Sequence, residues 1–260
     1  MSRLYSIIAG VVGLFMASAL AAQAPAPAQV PATQSVPERR TAPPPPALTA
    51  DDTWNLDLSS GGRVVIQLRP DVTPGHVERI KTLTRQGFYN GLAFFRVIEG
   101  FMAQGGDPNN NGTGGSTLPN IPAEINGLLH VRGAVAMARA EDLNSGNSQF
   151  YVMFTPRLNM DRGYTVFGRV VGGMNFIDAI ERGEPPANPT RIVRASLGSD
   201  NVPPMTAEQL RAAAQQMAQT PAATGGIQRG VAPSGPQVPP PPSSPRRLEP
   251  VRGPGARPPH

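Results

Sequence analysis

Apolar and polar residues alternate from Trp54 through Asn55, Leu56 and Asp57 to Leu58, then give way to Ser59-Ser60-Gly61-Gly62 before a second run from Arg63 to Leu68. A period of two on either side of a glycine-rich turn predicts a β-hairpin. Thr73-Pro74 then offers an N-cap with proline at the first helical position. Val77, Ile80 and Thr84 line one face until Gly87, so a helix is expected there. Gly133 to Ala138, Phe150 to Thr155, Tyr164 to Val171 and Arg191 to Leu197 read as further short strands. Met174 to Glu181 reads as a second short helix with Met174, Ile177 and Ile180 inward. Many short strands and only two helices argue for an all-β barrel or sandwich over alternating α/β units.

Phe94-Phe95-Arg96-Val97-Ile98-Glu99-Gly100-Phe101-Met102-Ala103-Gln104-Gly105-Gly106-Asp107 sets one cation and one amide among aromatic and aliphatic residues. Desolvating a guanidinium without partners costs several kcal/mol, so Arg96 requires a carboxylate, a carbonyl or a ligand. Phe101 and Met102 provide an apolar floor, Gln104 provides both a donor and an acceptor, and Gly105-Gly106 permits a sharp turn or a close approach. Two readings stand side by side. One is an apolar pocket with two polar groups reaching into it; the other is an edge strand whose arginine pairs across the sheet before an ordinary turn.

Composition confines the foldable part to the middle of the 260 residues. Of the 31 prolines, 8 lie in residues 1–50 and 14 in residues 201–260. The net charge of +5 divides into +2, −1 and +4 for residues 1–50, 51–200 and 201–260. The basic character therefore belongs to the flanks, and a near-neutral central domain lacks the basic face that a nucleic-acid partner requires. Absence of cysteine excludes disulfides, thiol catalysis and cysteine-based zinc sites. Residues 1–22 carry Arg3, an apolar run from Ile7 through Leu20, and small residues at Ala19, Ala21 and Ala22, which together predict a secretory signal. Its roughly 16 apolar or small residues fall short of the about 20 needed to span a membrane, so no stable span is expected after cleavage. Residues 23–50 read as an extended Ala/Pro-rich linker, 51–200 as the folded domain, and 201–260 as a short helix followed by a Pro/Arg-rich disordered tail. In that helix Thr206 and Gln209 form a T-x-x-Q capping box ahead of Leu210, Ala213, Ala214 and Met217.

Most familiar chemistries lack their residues. His76, His130 and His260 are scattered and no H-E-x-x-H exists, so no metal site is expected; His130 reads as a hydrogen-bonded loop residue. Asn109 to Thr117 is glycine-rich but has no phosphate-loop lysine, and reads as a solvated loop. Ser148 does not stand in G-x-S-x-G, and Glu141-Asp142 falls in a polar loop. What survives is a site made of arginine, glutamine and apolar side chains.

Phe95-Arg96-Val97-Ile98, Gly100-Phe101-Met102 with Gln104-Gly105-Gly106-Asp107, Asn111-Gly112-Thr113-Gly114-Gly115, Met137-Ala138-Arg139, Ser148-Gln149-Phe150 and Thr165-Val166-Phe167-Gly168 follow one another across residues 52–198. In that order they resemble the signatures of the cyclophilin peptidyl-prolyl isomerases, in a bacterial exported form. The resemblance implies an all-β fold, a closed eight-stranded antiparallel barrel capped by two helices, and cis/trans isomerisation of the bond before proline without a cofactor or metal. It implies Arg96 and Gln104 as the catalytic pair, and Phe101, Met102, Ala138, Arg139, Gln149, Tyr151, Met160 and Tyr164 as substrate-binding residues. Tyr151 stands where many members have Phe, and Arg139 where eukaryotic forms have Asn. Asn147 replaces a frequent Gly, and asparagine is among the residues best able to take a left-handed conformation, so the loop is expected to survive the change. Asn159 replaces the Trp of cyclosporin-sensitive members, which implies weak binding of that drug. The implied partners are proline-containing polypeptides, met by a monomer in the periplasm; nucleic acid is not among them. A peptide-binding chaperone or scaffold with incidental catalysis is the alternative, and the tail, at Val238 to Pro242 and Ser244-Pro245-Arg246, is a further candidate occupant of the groove.

Overall fold

The computed structural model describes residues 44–219. The expected signal segment, all but the last residues of the linker, and the tail beyond Gln219 with its candidate groove ligands lie outside them. Among the described residues eight strands form one antiparallel sheet: β1 (Thr53–Leu58), β2 (Gly62–Leu68), β3 (Arg96–Ile98), β4 (Met102–Gly105), β5 (Ala134–Met137), β6 (Phe150–Met153), β7 (Val166–Gly172) and β8 (Ile192–Leu197). Their spatial order is β3-β4-β6-β5-β7-β2-β1-β8. Three α-helices accompany them, α1 (Pro74–Arg85), α2 (Met174–Asp178) and α3 (Ala207–Gln219). None of these helices is long and apolar enough to cross a membrane.

The period-two pattern does what it predicted. Trp54, Leu56 and Leu58 of β1 and Val64, Ile66 and Leu68 of β2 are wholly buried in the main core, with Leu56 opposite Val64 and Trp54 opposite Ile66. Val77, Ile80 and Leu83 of α1 and Ile177 of α2 close this core. At its centre Phe150 meets Trp54 at 5.0 Å, and Tyr89 and Phe94 at 5.9 Å, all edge-on, the arrangement that the ring quadrupoles favour. The polar positions of β1 are also covered. Asp57, 1% exposed, lies between its register partners Arg63 and Arg194, which grip it from either side. Both arginines also donate to the carbonyl of Pro203, so the chain after β8 is folded back over this triplet. A buried carboxylate is tolerable here because two guanidinium groups replace its hydration.

The expected closed barrel is not formed. The ladder ends at β3 on one side and β8 on the other, which leaves the sheet an open half-barrel. The reason lies in the loop between α2 and β8. Gly183 exchanges two backbone hydrogen bonds with Val97 (2.8 and 2.9 Å), occupying the edge of β3 that β8 would need. The edge of β8 is instead met by the irregular segment before β3, where the Gly91 N–H donates to the Ile192 carbonyl at 2.7 Å and the Phe94 N–H to the Thr190 carbonyl at 2.9 Å.

Helix α1 begins at Pro74 as expected, but Thr73 does not cap it: its hydroxyl donates backward to the Arg69 carbonyl at 2.9 Å. The first-turn N–H groups of Gly75 and His76 are satisfied by the Glu124 carboxylate, at 3.0 and 2.9 Å, from a loop held by the bond from the Glu124 N–H to the Thr165 hydroxyl. The His76 Nδ1–H donates to the same carboxylate at 2.6 Å. Burial holds His76 below its usual value, against the pull of Glu124. Burial would raise Glu124, but the hydrogen bonds from Gly75 and His76 outweigh it and hold the carboxyl below its ordinary value. The capping box of α3 forms as read, with the Thr206 N–H donating to Gln209 Oε1 and the Gln209 N–H to the Thr206 hydroxyl.

These two shifts set a sign for acid sensitivity. His76 binds a proton more readily in the unfolded chain, so its contribution is complete above pH 6.5 and declines as the pH falls below that. Glu124 contributes fully above pH 4.5 and its share is lost as the pH falls through its lower folded value. Urea unfolding is therefore expected to show stability falling in two stages on acidification. Glu124→Gln should cost about 1–2 kcal/mol at neutral pH and diminish the lower stage, to which Asp71, held below its ordinary value by its hydrogen bond from Arg69, also contributes; a variant with the wild-type profile would contradict the cap.

Candidate active site

Strands β4, β6 and β5 are buried on both faces, and their side chains sort by parity. Ala103, Val135, Met137, Phe150 and Val152 enter the main core, whereas Met102, Ala134, Ala136, Tyr151 and Met153 enter a second apolar cluster with Phe101, Ala138, Met160, Tyr164 and Val166. Adjacent residues on one strand cannot share a face, so the division follows from the pleat. Register then aligns one row across five strands: Arg96 on β3, Gln104 on β4, Tyr151 on β6, Ala136 on β5 and Val166 on β7. Methyl-sized side chains at positions 134, 136 and 138 keep the middle of this face low between its larger neighbours.

A chain of hydrogen bonds runs along the row. Arg96 Nη1 donates to Gln104 Oε1 at 3.5 Å, and Gln104 Nε2 donates to Gln149 Oε1 at 2.9 Å. Gln149 Nε2 donates in turn to the carbonyls of Gly114 (2.7 Å) and Gly112 (3.2 Å). Those carbonyls are presented by a loop wound around Asp107, whose buried carboxylate accepts from the N–H groups of Asn109 (2.8 Å), Asn111 (3.0 Å) and Gly112 (2.5 Å). Gly106 allows the loop to start: its φ is +85°, and a Cβ there would press on the backbone of Ser148 and Gln149.

Under the apolar cluster lies a second polar chain. His130 is fully buried; its Nδ1 faces Asp161 Oδ1 at 2.9 Å and its Nε2 faces the Tyr151 hydroxyl at 2.9 Å. With the carboxylate accepting at Nδ1, Nε2 is left as an acceptor and Tyr151 donates to it. Burial lowers His130 against the pull of Asp161, and burial raises Tyr151 well above the usual phenol value, so the ring is neutral and the hydroxyl keeps its proton. Tyr151 and His130 stack at 15° and 6.0 Å. Tyr164 stands edge-on to Tyr151 at 5.9 Å and is covered by the Arg139 guanidinium, 4.6 Å from its ring centre. Arg139 is held there by two bonds to the Gly163 carbonyl. Burial raises Tyr164 while both Arg139 and Arg96 pull it down, which sets Arg96 within electrostatic reach across the row.

Arg96, Gln104, Phe101, Met102, Ala138, Tyr151, Met160 and Tyr164 are thus brought together on one face, with Arg139 at its edge. Arg96 pairs across the sheet with Gln104, as one of the two sequence readings has it, and lies in the register row that continues through Tyr151 of the apolar cluster. Gln149 is fully buried and turned toward the loop, so it touches the site through Gln104. The loop from Asn109 to Thr117 is only half solvated. Asn109, Asn111 and Thr113 are exposed, but Gly112, Gly114 and Gly115 are buried, and the carbonyls of Gly112 and Gly114 are the acceptors for Gln149. Asn147 does not use a left-handed conformation; its side chain instead ties Ser116, Leu118 and Asn120 to the sheet. His130 is the hydrogen-bonded loop residue that the sequence suggests, with Asp161 and Tyr151 as its partners; Glu184 is not singled out by the sequence, because nothing local distinguishes it from a solvated loop residue. Among the described residues no three His, Asp or Glu side chains converge as a metal site would require.

The family model for cyclophilin type peptidyl-prolyl cis-trans isomerases matches residues 54–197. A Brucella suis protein named "Probable peptidyl-prolyl cis-trans isomerase" is 43% identical over 170 residues, covering 59% of this chain and 86% of its own. Peptidyl-prolyl cis-trans isomerase B of Bacillus subtilis is 38% identical over 128 residues, covering 49% and 89%. Among solved structures, the cyclophilin AquaCyp293 from Hirschia baltica superimposes with a TM-score of 0.55 at 29% identity, over 60% of this chain and 77% of that one. With its pleat-sorted apolar face, its ordered motifs and a match that spans the whole sheet, this chain belongs to the cyclophilin-type peptidyl-prolyl cis-trans isomerases.

Proposed function

We propose that this isomerase acts on proline-containing segments of exported polypeptides, with Arg96 as the group that stabilises the twisted prolyl bond. Rotation about X-Pro meets a barrier of ~18–20 kcal/mol because amide resonance is lost. As the bond twists, the proline nitrogen regains its lone pair. A guanidinium N–H aimed at that nitrogen bonds the twisted state more strongly than the planar one, which is what accelerates the reaction. Arginine suits the task because it stays charged at every physiological pH.

The observation that carries the reading is the placement of Arg96 at the end of the row that crosses the second apolar cluster. Phe101, Met102, Met160 and Tyr164 with Tyr151 supply an apolar seat for the proline ring, and Gln104 holds the guanidinium from within the sheet. Gln149 serves as a positioning residue behind Gln104. Arg139 shapes the seat by packing on Tyr164. Substrate binding in the aligned geometry, with one side of the bond held and the other free to turn, supplies the orientation. The N-terminal apolar run supports export to the periplasm.

Arg96→Ala is expected to lower kcat/KM toward a proline peptide by about 100-fold, while peptide affinity changes by no more than about threefold; equal losses in both would refute the role. Tyr151→Phe strands the buried acceptor of His130 and should cost about 1–2 kcal/mol in chemical denaturation. An unchanged midpoint would show that the Tyr151–His130 bond is not formed. Fractionation of cells that express the full chain should recover the protein outside the cytoplasm with its N-terminal segment removed, and cytoplasmic, unprocessed protein would reject export.

A further inference from the structure

The loop between α2 and β8 does more than occupy an edge. Gly183 is clamped to Val97, the residue after Arg96, by the reciprocal backbone bonds of 2.8 and 2.9 Å. The next residue, Glu184, then reaches the arginine: its Oε2 accepts from Arg96 Nε at 2.7 Å. On its other side Arg96 meets Gln104 at 3.5 Å, the outer limit of a hydrogen bond, so the carboxylate is the closer of these two contacts. Pro185 and Pro186 follow directly and restrict the backbone that presents the carboxylate.

We infer that Glu184 is a positioning residue for catalysis, fixing the rotamer and plane of the Arg96 guanidinium so that it faces the turning prolyl nitrogen. This inference rests on the role of Arg96 proposed above. Two effects oppose each other. A carboxylate beside the guanidinium weakens the positive field at the nitrogen, but it also removes the freedom of a long, flexible side chain. The Glu184 side chain is 52% exposed, so water screens the first effect. Orientation is not screened, and a small misplacement of a reacting group is costly in rate. Positioning therefore prevails, and loss of the carboxylate slows the enzyme.

The test uses the full chain and a proline peptide, with kcat and KM resolved separately for wild type, Glu184→Gln, Glu184→Ala, Arg96→Ala and the double variant Glu184→Gln/Arg96→Ala. Glu184→Gln is expected to lower kcat roughly fivefold and Glu184→Ala roughly tenfold, with KM within about twofold. In the Arg96→Ala background Glu184→Gln should have no further effect, because the residue it positions is gone. A kcat equal to or above wild type in Glu184→Gln, or a full additive loss in the double variant, would overturn the inference while leaving Arg96 in its role. Wild-type kcat in Arg96→Ala would overturn the role of Arg96 and this inference together.

Discussion

Burial of β4, β6 and β5 on both faces is the constraint on which the rest of this molecule depends. One face is locked by the aromatic packing around Phe150, so the strands cannot shift without breaking the main core. The opposite face inherits that rigidity and carries the apolar cluster of the site. Because the pleat alternates, Gln104 and Tyr151 are held in place by neighbours that point the other way. A site built on such strands is positioned by the core itself, without a stabilising element of its own.

On the sheet side Arg96 is met by neutral amides, while the Glu184 carboxylate meets it from the loop. Gln104 and Gln149 are both fully buried, and each can accept and donate at once, which lets them relay direction from the Asp107 loop to Arg96. A carboxylate placed at either position would bring a second buried charge beside the guanidinium, with the desolvation that entails. The amides keep every step satisfied at lower cost. A parallel chain, Asp161 to His130 to Tyr151, steadies the apolar seat from below. Two polar chains thus converge on one apolar face.

The open edges of the sheet are part of the same design. At β3 the α2–β8 loop takes the place of a neighbouring strand, and a loop can deliver a side chain at an angle that a ladder partner cannot. At β8 the irregular segment before β3 covers the other edge, with the Gly91 and Phe94 N–H groups donating to the Ile192 and Thr190 carbonyls. Irregular segments close the ends of the half-barrel and satisfy what the strands leave unpaired.

Local patterns in the sequence were sufficient for the hairpin of β1 and β2, for the span of α1 and for the capping box of α3, because period and cap chemistry act over a few residues. The resemblance carried by the ordered motifs added Gln149, Tyr151, Met160 and Tyr164. The tertiary structure alone decided that the sheet stays open, that Glu124 caps α1 from 49 residues away, and that Glu184 meets Arg96 across 88 residues. It also turned Gln149 toward a loop that looked solvated. The physical reason is common to all four. A buried N–H, a guanidinium or a sheet edge demands a partner by its chemistry, and the sequence shows that demand, but which distant acceptor answers it depends on the loop that packing brings alongside.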